Sequence, residues 1–587
     1  MSIRIEDYAL IGNTYTAALV GRDGSIDWLC LPRFDSPACF AALLGGPEHG
    51  RWLIAPDCRV KAVHRNYRGD TLILETIFDT DNGEVALVDF MPINEQPGQI
   101  ELIRLVEGRS GSVAMRMELV IRFDYGASVP SIRNTPDGIQ AIAGPNEVLV
   151  QTPIQTHGDD LKTVACFAIS KGETIPFILK RNDSHLPLPP VEDPLRLLDD
   201  TAVFWRQWIS RCTYKGPLYK QVIRSLITLK ALIYSPTAAI VAAPTMSLPE
   251  HLGGDLNWDY RYCWLRDASF AFNALLAAGY PEEAVAWRAW LARAVGRQVQ
   301  KLQIMYGLAG ERCFEEFELL HLPGYEGSRP VRVGNAAYQQ TQLDVYGEIL
   351  NALYFACGYG IKIDNDDWRM HCEFLRLLES AWERPDDGFW ETRGRPRHFT
   401  ESKVAAWVAF DRAVKLIEKF GFVGPLKKWR VLRDRIHADV CAHGFEPKRN
   451  TFVQYYGGNE VDASLLRMPL VGFLPANDPR IIGTVEAIQY ELTENGLVNR
   501  YRQAMDSDKE GKFLACSFWL VDCLVMMDRA EEARKTFDRL LSLCNDVGLL
   551  SEEYDDTTKR MLGNFPQALT HVGLITSAFN LSRLKSV

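Results

Sequence analysis

The segment "DDGFWETRGRPRHFTESK" (386–403) places Trp390 directly before Glu391, and "SEEYDDTTKR" (551–560) places Glu552 and Glu553 at a second acidic loop, 161 positions after Glu391. Two carboxyls facing each other across a pocket suit the hydrolysis of a glycosidic bond. One stays protonated and donates to the leaving oxygen, while the other is ionised and activates water on the opposite face of the sugar. An inverting reaction needs roughly 6.5–9.5 Å between them to hold that water. Trp390 fits Glu391 to the acid role, because an apolar neighbour disfavours the charged form and raises the pKa. Each glutamate also has an ordinary reading: the helix dipole alone favours an acid near a helix start, and adjacent glutamates are commonly solvated. Asp386 and Asp387 read as turn formers.

The elements that must position these loops are helical. Beyond about residue 215, apolar spacing and terminal signals predict twelve helices, starting near residues 218, 267, 281, 336, 364, 400, 425, 460, 479, 512, 529 and 565. They form either a stack of hairpins or a closed double ring with inner and outer layers in alternation. The loops rich in Trp, Tyr, Arg and acids are "NWDYRYCWLRD", "GYEGSRPVRVGN", "GFWETRGRPRHF", "FVQYYGG", "GLVNRYRQAMD" and "SEEYDDTTKRMLGNFPQ". Each precedes an even-numbered helix. In a ring, all such connections open at one end, so a single mouth collects the chemistry. His398 and His571 read as hydrogen-bonding spectators. "GYEGSRPVRVGN" lacks the Gly-x4-Gly-Lys spacing of a phosphate loop and reads as packing and loop shaping.

Residues 1–185 have a different rhythm. "TLILETIFDTDNGEVALVDF" holds two β-prone runs around Asn82-Gly83, a hairpin signal. Short runs spaced by Gly and Asp predict an antiparallel β-sandwich. Prolines in "SHLPLPPVEDPLRLL" mark a linker, 186–217, and the helical domain takes 218–587. "DWLCLPRFDS" is rich in Trp, Arg and Asp for a plain sandwich loop and is a candidate to reach the mouth.

The chain of 587 residues is 47% hydrophobic and 24% charged, as for a soluble globular protein of two domains. A net charge of −10 with no basic block argues against a nucleic-acid partner. No apolar run reaches the ~18 residues of a membrane span, and the first residues lack the pattern of a secretion signal. The 13 cysteines are scattered without a C-x-x-C pair, which argues against a disulfide framework or a structural zinc and for a cytoplasmic location. No metal-ligand cluster or cofactor motif stands out.

The segments "NWDYRYCWLRDASF", "GYEGSRPVRVGNAAYQQTQLDVYGE", "GFWETRGRPRHFTESKVAAWVAFDR" and "SEEYDDTTKRMLGNFPQALTHVGLI", with the N-terminal "ALVGRDGSIDWLCLPRFDS", closely resemble glycoside hydrolase family 15, the family of glucoamylases, glucodextranases and some trehalases. The resemblance covers nearly the whole chain. It implies an (α/α)6 barrel behind a β-sandwich, acting by inversion on α-glucosidic bonds at a non-reducing end. By the same resemblance Glu391 is the general acid, Glu552 the general base and Glu553 a supporting group. Arg266 and Asp267 bind the hydroxyls of the terminal glucose. Tyr260 stands near the reacting carbon, Trp264 and Trp390 line the sugar site, and Arg500 is a further sugar-binding arginine. Thr392 departs from fungal glucoamylases, which have a second Glu there, and acidic residues after the "RY" motif also differ. Both departures fall at the subsite for the second sugar.

The leading expectation is therefore an exo-acting, inverting hydrolase that releases β-glucose from α-1,4-linked maltooligosaccharides. An α,α-trehalase ranks just behind it. An inverting phosphorylase would need only the acid, and a sugar-binding module would need no opposed carboxyls. The expected partner is a small oligosaccharide or disaccharide.

Overall fold

A computed structural model describes residues 3–93, 99–187, 192–296, 298–502 and 510–584. The positions after the "RY" motif and the centre of the proline-marked segment lie outside these residues.

The N-terminal part is built from antiparallel strands. The strand Leu74–Thr80 alternates buried and half-buried side chains, so one face meets the core. It pairs with Gly83–Phe90 through Thr80 and Gly83, which puts the two-residue turn at Asp81 and Asn82, one position earlier than the Asn-Gly signal implied. Gly83 follows the turn at φ 143°, where a Cβ would lie 2.0 Å from the carbonyl oxygen of Ser110. The long strand Ile100–Val120 organises both layers. Its first half pairs with Gly83–Phe90 and Thr174–Asp183, and its second half with Arg51–Pro56 and Lys162–Ser170. One strand thus crosses from sheet to sheet.

Thirteen α-helices follow among the described residues: α1 (Pro194–Ile209), α2 (Tyr219–Ala231), α3 (Leu265–Ala277), α4 (Pro281–Val295), α5 (Asp344–Gly358), α6 (Asn365–Ala381), α7 (Thr400–Phe420), α8 (Leu426–His443), α9 (Arg467–Leu470), α10 (Pro479–Glu491), α11 (Leu514–Met526), α12 (Ala530–Leu541) and α13 (Ala568–Arg583). The segment read as a linker holds α1, capped by the Asp193 side chain with Pro194 as its first residue. The proline taken as a breaker is a helix starter. Helices α2 to α13 correspond one to one with the twelve expected. The fourth begins later than expected, after a 3-10 turn at Ala336–Gln339, and the eighth shrinks to a 3-10 turn and four α-helical residues.

The inner ring runs α3, α5, α7, α9, α11, α13 and closes back on α3, each packed on the next. Inner helices are buried nearly all round: α11 is buried from Leu514 to Leu524 and apolar apart from Ser517 and Asp522, and α7 is buried almost continuously from Thr400 to Leu416. Outer α12 buries only Ala533, Phe537 and Leu540, one helical stripe. Gly347 of α5 lets α7 approach closely, since a Cβ there would sit 2.4 Å from the Ala405 carbonyl oxygen. All six chemically rich loops lead into inner helices, so they share the end where those helices start. The two parts of the chain are joined by side chains: Trp28 Nε1 donates to the Pro244 carbonyl (2.8 Å), Arg65 bonds Asp546, and Arg33 bonds Glu311.

No helix among the described residues is long and apolar enough to cross a membrane. All 13 cysteines are free thiols.

Candidate active site

A cavity of about 390 Å³ lies at the N-terminal ends of the inner helices. Seven of the sequence candidates line it: Tyr260, Trp264, Arg266, Asp267, Trp390, Glu391 and Arg500. A larger cavity, about 650 Å³, opens at the other end of the inner ring, with Ala277, Met526 and Phe579 in its wall. It contains none of the candidates.

Arg266 and Asp267 open α3, where the helix N-terminus favours the acid. The Arg266 guanidinium bonds Asp267 Oδ1 (2.9 Å) and the Phe389 carbonyl (2.8 Å), reaches Glu391 Oε1 (3.3 Å) and lies over the Phe389 ring. It therefore pins the loop that carries Glu391. From the other side, Gln340 Nε2 donates to the carbonyl oxygens of Glu391 (3.1 Å) and Thr392 (3.3 Å). Trp390 Nε1 donates to both carboxyl oxygens of Asp462 (2.9 and 3.0 Å). Glu391 itself sits at φ 56°, a left-handed conformation that bulky residues seldom adopt and that persists where surroundings enforce it.

Burial pushes the Glu391 carboxyl up to about 7, against the opposing charge of Arg266 and with the help of Asp267. Its proton is thus present up to neutrality.

Glu552 is fully buried and stands behind the cavity wall rather than in it. Its Oε2 accepts from the Asn564 backbone N–H (3.0 Å), while Oε1 has no hydrogen-bond partner among the described residues. Burial and the neighbouring Glu250 raise its pKa to about 8, opposed by Asn564, the Tyr260 hydroxyl and Arg500. Tyr260 ties the two carboxyls together: burial first, then the charges of Glu552, Glu250 and Glu391, hold its phenol well above the usual range. The carboxyls of the two distant loops thus act on one side chain.

Arg500 is the centre of a group the sequence reading only half saw. Its Nη2 hydrogen-bonds Glu250 and Glu510 Oε2 (2.6 Å) and forms an ion pair with Glu553 Oε1 (3.3 Å). Three carboxylates converge as they would on a cation, and Arg500 supplies that positive charge. Glu250 and Glu510 line the cavity, as do Trp258, Arg332, Arg393, Phe389 and Gln567. The sequence signal for Glu250 was weak, since "SLPEHLGG" carries no aromatic or arginine cluster. His571 is buried against Ser225 with its pKa lowered to about 3 by burial, and His398 stacks on Tyr456, so neither enters the cavity. "DWLCLPRFDS" packs on the loops around the mouth but contributes no wall residue among those described.

Residues 217–579 match the model of glycosyl hydrolases family 15, and residues 1–180 match that of the trehalase-like N-terminal domain. The chain belongs to glycosyl hydrolase family 15. This family 15 enzyme is a glycoside hydrolase. It is 39% identical over 569 residues to a trehalase of Thermoplasma acidophilum, with 95% of this chain and 97% of the relative covered. It is 36% identical over 622 residues to a trehalase of Mycobacterium tuberculosis, covering 99% and 90% of the two chains. Among solved structures, a bacterial glucoamylase complexed with acarbose superposes with a TM-score of 0.72 at 12% identity, covering 99% of this chain and 94% of that one. That likeness establishes the shared fold, a β-sheet domain followed by an (α/α)6 barrel.

Proposed function

We propose that this family 15 enzyme hydrolyses α,α-trehalose with inversion, Glu391 acting as general acid and Glu552 as general base. The observation that carries the substrate is the likeness to proteins named trehalase along 95% of the chain. It reverses the order expected from sequence, where maltooligosaccharides led. The small cavity supports the same reading: about 390 Å³ lies near the lower end of the roughly 300–1,000 Å³ of ligand pockets and suits two sugar rings better than a chain.

In this reading the terminal glucose occupies the buried floor formed by Trp264, Arg266 and Phe389. Arg266 and Asp267 hydrogen-bond its hydroxyls. Glu391 gives its proton to the glycosidic oxygen as the bond to the anomeric carbon breaks. Glu552, ionised, takes a proton through its unpartnered Oε1 from the attacking water, which reaches it from the cavity when substrate is bound and forms the new C–O bond on the opposite face. Tyr260 lines the cavity and keeps the water side polar beside Glu552. The wall group Glu250–Arg500–Glu510 sets the charge around the base.

Proton NMR of the first turnover tests this. Trehalose cleaved with inversion releases one β-glucose and one α-glucose in equal amounts. Release of α-glucose alone indicates retention and overturns the mechanism. Cleavage of maltose and maltotriose without trehalose overturns the substrate.

A further inference from the structure

The rim of the cavity contains a side-chain assembly that the catalytic reading leaves unused. Arg332 and Arg393 both place their guanidinium groups over the Trp258 ring, 4.6 and 4.1 Å from its centroid. Glu316 joins the two cations. It pairs with Arg393 through both oxygens (3.0 and 2.5 Å) and with Arg332 Nε (3.4 Å), and it accepts from the Ala336 backbone N–H.

Trp258 is also anchored from below. Its carbonyl accepts from Asn564 Nδ2 (3.0 Å), and the Asn564 backbone N–H is the donor that holds Glu552. Arg393 lies two residues after Glu391. Trp258 therefore links the loop of the acid, through its ring, with the loop of the base, through its backbone carbonyl.

Its place in the cavity points to what it meets. Arg266, Trp264 and Phe389 at the floor are buried, whereas Asp255 and Arg393 at the rim are exposed and Trp258 lies partly buried beside them. An exo-acting site takes the terminal sugar to the floor, so the leaving sugar lies at the rim, beyond Glu391. Aromatic faces cover the apolar faces of a pyranose. The two guanidinium groups take up part of the ring face, so the wall a sugar meets is the indole together with the N–H groups of Arg332 and Arg393, held rigid by Glu316.

We infer that Trp258, held by Arg332, Arg393 and Glu316, is the wall that binds the leaving sugar and so determines which leaving group the enzyme accepts. The inference rests on the hydrolase reading above and concerns the half of the substrate not touched by Arg266 and Asp267.

The experiment compares trehalose with α-glucosyl fluoride, which carries the same terminal glucose but no second sugar. For Trp258→Ala, kcat/KM on trehalose is expected to fall roughly 10- to 100-fold further than on the fluoride, as loss of an aromatic contact does. Trp258→Phe, which restores a ring face, should recover most of the difference. Glu316→Gln, which releases both arginines, should reproduce it at smaller size. Equal losses on both substrates, or a Phe variant as poor as Ala, overturn the inference. If the wild-type enzyme cleaves maltose and not trehalose, the substrate reading fails separately, and maltose against fluoride then decides the role of Trp258 in the same way.

Discussion

Arg266 holds Glu391 twice: its guanidinium lies 3.3 Å from the carboxyl and donates a 2.8 Å hydrogen bond to the carbonyl of Phe389, two residues earlier. Position and acidity of the proposed acid thus share one cause. The same cation that aims the loop lowers a pKa that burial raises.

Removing that cation should change both. Arg266→Met leaves the buried carboxyl of Asp344 and the half-buried carboxyl of Asp267 without their partner, and breaking a buried pair typically costs about 3–5 kcal/mol. The melting temperature should fall. Glu391, relieved of the opposing charge, should titrate higher, and the maximum of the pH–rate profile should move to higher pH. A maximum that moves to lower pH contradicts the assignment.

The two proposed catalytic carboxyls should fail in kcat. Glu391→Gln and Glu552→Gln are each expected to lower kcat on trehalose by about 10²–10⁴-fold, while calorimetry still detects sugar binding, because proton transfer acts in the transition state. Full turnover in either variant removes that residue from the mechanism.

Stability should move the other way at Glu552. Its folded pKa, about 8, lies above the ordinary value of 4.5, so the folded state holds a proton that the unfolded state has released between these limits. This group's contribution to stability is greatest below about 4.5 and is lost as pH rises through about 8. Glu552→Gln removes the penalty, and its melting temperature at pH 7 should equal or exceed that of the wild type. A clear fall would mean the carboxylate is structurally required.

The pH profile follows from the same two groups. Glu391 must keep a proton that leaves near pH 7, and Glu552 must lose one that leaves near pH 8. The competent form is a minority species that peaks between these values and declines on both sides, so kcat/KM should be bell-shaped with a maximum near pH 7–8. Glu250→Gln removes a charge that raises the Glu552 pKa, and the maximum should shift to lower pH. An alkaline shift contradicts the proposed coupling of Glu250 to the base.

Much of this protein is legible without coordinates. Helix count and order follow from apolar period, because an inner helix such as α11 must be apolar nearly all round and an outer one such as α12 striped. The parity of the aromatic and acidic loops followed from the same ring logic. Local punctuation was less readable. Pro194 starts α1 where a linker was expected, since proline is as good a first helical residue as a breaker, and the turn beside Gly83 lies one residue early.

What the chain alone determined is the set of residue types and their alternation: carboxyls, arginines and aromatics placed before every second helix. Which of them meet was decided only by closure of the ring. Arg266 reaches Glu391, Tyr260 feels both carboxyls, and Glu250, unremarkable in sequence, becomes the partner of Arg500. Burial decided the rest, because the charge a carboxyl carries depends on how much water and which neighbours surround it, and neither is a property of the residue or of its place in the chain.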